Sequence, residues 1–169
     1  MVMYSKIKIF GHPLHPMLVS FPIAFYTATL VAFITYAATG NIFWFRLAYT
    51  ANAAGVVMAL VAALPGFLDW LLGIPDKSQA KKHGLQHMLL NVSALAFFAI
   101  NLWLYSGQWN APRPAAALSI LLPAIGFVLT LMAGYFGWTL VQTHHSGVQF
   151  SPAEESCLRG KAEPEARPR

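Results

Sequence analysis

The chain of 169 residues carries 11 Lys and Arg against 6 Asp and Glu, a formal charge of +5, and charged residues make up only 10% of it, where soluble domains hold about 25%. Residues 17–45, 47–68, 83–111 and 114–150 contain no Asp, Glu, Lys or Arg. Helices this apolar have no polar face for water, which excludes an ordinary soluble enzyme and a nucleic-acid binder. Four stretches of about 20 apolar residues instead match a hydrocarbon core about 30 Å thick.

The expected fold is therefore all-α, an integral membrane four-helix bundle over residues 1–150. The first span is expected over residues 17–38. Two His-Pro pairs before it and its length argue against a cleaved leader. Pro16 suits a first helical turn, and Pro22 one turn further in is expected to bend the start. The second span, 47–72, is rich in Ala and Gly, which let membrane helices approach closely. Pro65 is expected to kink it, and Gly73, Pro75 and Asp76 to end it. The third span is expected over 83–105 and the fourth over 115–141, with a kink at Pro123. Gly126, Thr130 and Gly134 recur every four residues and read as a packing stripe. Residues 151–169, rich in Pro, Glu and Arg, have little to bury and read as a disordered cytoplasmic tail.

Charge placement gives an orientation. In a four-span topology Lys6, Lys8, Lys77, Lys81, Lys82, Arg159, Lys161, Arg167 and Arg169 share one side, against Arg46 and Arg113 on the other. The positive-inside rule then places both termini in the cytoplasm. Trp44, Trp103, Tyr105, Trp109 and Trp138 fall near span ends, as an interfacial belt requires.

All six histidines, His12, His15, His83, His87, His144 and His145, belong to the expected cytoplasmic end. Asp69, the acidic residue closing the second span, joins them there. His83 and His87 lie four apart on one helix face, with Asn91 one turn deeper. Ionisable groups in spans are costly and often functional. His12, His15, His87 and His144 are the candidate cofactor ligands, with Asp69, Asn91 and His83 behind them. For a metal ion the set is His15, His87 and His144.

A di-iron site wants several carboxylates, and only Asp69 is near. The lone Cys157 gives neither a disulfide framework nor a thiolate site. A b-type haem needs one or two axial histidines and an apolar pocket, for which Phe10, Phe21, Phe67, Trp70 and Met88 are the candidate lining. Copper or zinc on histidines is the lesser match. No nucleophile elbow, zinc-protease helix or phosphate loop occurs. Three readings stand open. One is a bundle holding haem or a metal for electron transfer. Another is a structural or interaction subunit of a membrane complex, without cofactor. The third is a small oligomeric transporter or proton path. Lipid, a membrane-complex partner or a second copy are the expected contacts, and nucleic acid is not.

The run Gly11-His12-Pro13-Leu14-His15-Pro16 with Met17-Leu18-Val19-Ser20-Phe21-Pro22 resembles the opening of the DUF2231 family of bacterial membrane proteins. Gly66-Phe67-Leu68-Asp69-Trp70, His87-Met88-Leu89-Leu90-Asn91 and Gly134-Tyr135-Phe136-Gly137 through His144 resemble later signatures of that family. The resemblance spans about residues 10–148. It implies a multi-span inner-membrane protein without assigned activity, and it favours His12, His15, Asp69, His87 and His144. The family ending usually has glycine where this chain has His145, which argues against a shared role for that side chain.

Overall fold

The computed structural model describes residues 5–110, 117–148, 151, 153, 154, 156 and 157. The sequence-based expectations for Arg113 and for most of the tail lie outside the described residues. An antiparallel hairpin of β1 (Lys8–Ile9) and β2 (His12–Pro13) leads into a short helix α1 (Leu14–Leu18). Four long helices follow: α2 (Ser20–Thr39), α3 (Ile42–Gly73), α4 (Gln79–Tyr105) and α5 (Ala117–Gln142). Taking α1 and α2 together as one span, four helical segments are long and apolar enough to cross a membrane. The fold is an all-α membrane bundle.

Local chemistry sets the element boundaries. Pro22 has no N–H for the Leu18 carbonyl, and the helix breaks one residue later, at Val19. Backbone bonding still carries across, from Val19 N to His15 O at 3.2 Å and from Ile23 N to Val19 O at 3.4 Å. Gly40, left-handed at φ +65, ends α2 by donating its N–H to Tyr36 O at 2.8 Å. Asn41 starts α3 by accepting from Phe43 N at 2.9 Å, and Ser78 starts α4 by accepting from Lys81 N at 3.0 Å. Both α3 and α5 run on through Pro65 and Pro123.

The helices α2 and α3 pack as one pair and α4 and α5 as another, with α3 on α4 and α2 on α5 closing the bundle. Away from the histidines an aromatic core joins Phe33, Tyr36, Phe45 and Tyr105 over Ala32 and Ala48. Tyr105 was expected in the interfacial belt but is buried in this core, because its ring meets Phe33 at 5.7 Å and Phe45 at 6.3 Å. Trp103 and Trp138 are exposed. A polar string crosses the same half. The Asn52 amide donates to Phe98 O at 3.1 Å and Asn101 Oδ1 at 3.0 Å, and Asn101 donates to Ser119 O at 3.4 Å.

Close approach relies on glycine where expected, with one correction. A Cβ on Gly126 would stand 2.7 Å from the Phe98 ring, so that position is a true contact. Gly134 meets nothing within 4 Å and is exposed. The four-residue stripe fails there because each step of four advances about 40° past a full turn. Two steps carry Gly134 roughly 80° away from the face that Gly126 presents.

Candidate functional site

At the other end of the bundle, two imidazoles face each other across the helices. His15 lies on α1 and His87 on α4, with ring centroids 6.1 Å apart and planes at 88°. Each ring is held by the backbone of a further helix. His15 Nδ1 donates to Ala62 O of α3, and His87 Nδ1 donates to Ala133 O of α5, both at 2.8 Å. A carbonyl can only accept, so both Nδ1 atoms carry hydrogen. In the neutral rings the lone pair is therefore on Nε2.

Sequence explains why those carbonyls are reached. Pro65 leaves the Val61 carbonyl without its helical N–H, one residue before Ala62, where the ladder of α3 is already interrupted. Gly66 then makes room: a Cβ there would stand 2.6 Å from His15 Nδ1. Gly137 does the same on α5, where a Cβ would stand 3.1 Å from His87 Cε1. Ala62 and Ala133 are themselves buried. The walls of the pair are thus small residues and backbone.

Asn91, one turn deeper on α4, donates to His87 O at 2.9 Å and lies 3.2 Å from His87 Nε2. The longer contact places an amide hydrogen on the Nε2 lone pair. Giving it up leaves the 2.9 Å bond intact.

The other candidate residues go elsewhere. His12 sits exposed on β2. His144 pairs with His83, Nε2 to Nδ1 at 2.9 Å, one imidazole N–H donating to the other's lone pair. Partial burial, with His83 and His145 nearby, holds the His144 imidazole below the ordinary histidine range. Among the described residues no group of three or more His, Cys, Asp or Glu stands close enough to hold a metal ion. The expected three-histidine metal set of His15, His87 and His144 is accordingly not assembled.

Asp69 does not stand behind an imidazole. Its carboxylate accepts from Ser5 Oγ at 2.7 Å, Lys6 N at 2.7 Å and Ile7 N at 3.1 Å. It fastens the N-terminal arm to the end of α3. The physical reason is simple: an extended arm offers unpaired N–H groups, and a carboxylate at a helix end satisfies two of them.

The expected aromatic lining is also revised. Phe10 is 97% exposed at the hairpin turn, and Phe21 and Phe67 are about half-exposed at 49% and 46%. Trp70 turns toward α4, donating its Nε1–H to Lys81 O at 3.0 Å. The sequence reading missed Gly66 and Gly137 as seats for imidazoles, although both occur in the quoted signatures. A glycine in a span reads as helix contact until its neighbour across the bundle is known. His145 adopts a left-handed backbone at φ +50, a conformation that glycine takes without steric cost.

Neither the curated proteins nor the solved structures contain a match to this chain. A family model described as a predicted membrane protein does match, over residues 11–150. That span takes in the His15 and His87 pair, both glycine seats and all four membrane helices, and the chain belongs to this family, DUF2231.

Proposed function

We propose that His15 and His87 would hold a b-type haem, and that the protein passes electrons within the membrane. The observation that carries this is the pairing of two imidazoles from separate helices, each anchored through Nδ1–H, so that Nε2 is the ligating nitrogen once Asn91 releases that of His87. Metal-bound histidines are oriented in this way by a carbonyl on the other nitrogen. Haem asks for no third protein ligand, which favours it over copper or zinc, although Phe10 stands exposed and Trp70 turns to α4 rather than lining a pocket. When bound, it would supply one-electron exchange. The chain's own part is to fix both tautomers and hold the ring planes. The basic bias of the same end supports a cytoplasmic location for it.

A second reading rests on the Asn91 contact. With Asn91 on His87 Nε2, the pair is also a polar latch that closes the bundle without any cofactor.

The test is to express the full chain with a haem precursor, purify it in detergent, and measure Soret absorbance and iron per chain. One haem per chain is expected. His15→Ala and His87→Ala should each abolish it, while His12→Ala and His144→Ala should leave it. A folded wild type with no Soret band would reduce the pair to the latch.

A further inference from the structure

We propose that the hairpin of residues 8–13 is a membrane-interface anchor, laying Ile9 and Phe10 among the headgroups of the bilayer that holds the bundle, with Lys6 on anionic lipid. Its turn is unusual. Phe10 and Gly11 take φ +48 and +82, the left-handed pair of a two-residue hairpin turn. Asn or Asp is the common first residue there, and a bulky aromatic is disfavoured. The strained position nevertheless presents a phenyl ring that is 97% exposed, beside Ile9 at 47%.

The hairpin is not a loose end. Ile9 pairs with His12, and Leu14 N donates to Ile7 O at 3.0 Å. Asp69 holds the arm just before it through three hydrogen bonds. Pro13 stands beside Gly147, beyond the end of α5. A rigid element fixed at both ends of its attachment therefore holds an apolar tip away from the protein.

Two features choose lipid over a soluble protein as the occupant. Exposed Met17 and Phe21 follow Ile9 and Phe10 on the adjoining helical segments, which belong to a membrane span. Exposed Lys6 precedes the tip. An apolar tip preceded by an exposed ammonium group fits the boundary between acyl chains and anionic headgroups.

The experiment uses the full chain in vesicles, with Cys157→Ser to remove the natural thiol. A nitroxide is attached at Ile9→Cys, so that Phe10 is retained. Val57→Cys on the exposed face of α3 serves as the lipid reference and Lys82→Cys as the aqueous one. Vesicles contain zwitterionic lipid with or without phosphatidylglycerol. Collision with oxygen reports lipid, and collision with a water-soluble nickel chelate reports water. The label at position 9 is expected to favour oxygen over nickel when phosphatidylglycerol is present. Its oxygen-to-nickel ratio should fall several-fold on adding Phe10→Ser, and should fall more modestly in purely zwitterionic vesicles. A label that matches position 82 in both lipids, unmoved by Phe10→Ser, would overturn the proposal and leave the tip in water for a protein partner. A ratio that responds to Phe10→Ser but not to lipid charge would overturn the role of Lys6.

Discussion

The two halves of the bundle bury polar groups in opposite ways. Near the aromatic core, Asn52 and Asn101 bond amide to amide and amide to carbonyl, and both residues are almost wholly buried. That arrangement ties α3 to α4 and α5 and offers no titratable nitrogen. At the histidine end, each imidazole spends one nitrogen on a backbone carbonyl of another helix. The second nitrogen keeps a lone pair. The first half holds helices together with its polar groups; the second positions groups that retain chemistry. Membrane helices gain little from hydrophobic association, so both kinds of contact must be built on close packing.

Variants that separate packing from site chemistry sharpen this contrast. Gly66→Ala should have the largest effect. Its Cβ would overlap the His15 ring, which cannot swing aside while it is bonded to Ala62. Overpacking of this kind costs about 1–3 kcal/mol. The expected outcome is a lower melting temperature in detergent together with loss of bound haem. Full haem occupancy in Gly66→Ala would remove His15 from the site.

Phe45→Ala tests the other half. A soluble core loses about 3–5 kcal/mol for such a truncation. Part of that is transfer from water, about 1.5–3 kcal/mol, and lipid outside the bundle largely cancels it. A loss of about 2 kcal/mol is expected from the cavity, with haem binding unchanged once the protein is folded. A melting temperature that falls while the Soret band stays would separate the two halves. Loss of both together would show that they act as one unit.

The smallest effect concerns the His83 and His144 contact. His144 is held below the ordinary histidine range, so the folded state resists its protonation. The contact's contribution is present above about pH 6.5, the unfolded value, and is lost as pH falls through the lower folded value. Melting temperature should therefore drop slightly more on acidification in wild type than in His144→Gln. Equal slopes would show that the pair does not couple to folding.

The bundle was legible because apolar length and the absence of charge speak directly to a bilayer. The one-sided histidines were legible too, since topology alone brings them to one end. What could not be read was which of them meet. His83 and His87 share a helix face, yet the first turns to His144 and the second to Ala133. Their partners lie on or beyond α5, and no spacing along α4 encodes those contacts. The hairpin escaped for a similar reason. Its two short strands exist because Asp69, more than 60 positions away, satisfies the arm that precedes them. A stripe read at intervals of four misled at Gly134, where a turn of 3.6 residues had carried the face outward.

The central claim is that His15 and His87 would together hold one haem. Electron paramagnetic resonance of the oxidised, haem-loaded protein tests it most directly. Two imidazoles crossed near the observed 88° should give a single low-spin ferric signal of strong anisotropy. That signal should vanish in His87→Ala. A high-spin signal in the wild type, or a low-spin signal that survives His87→Ala, would contradict the account.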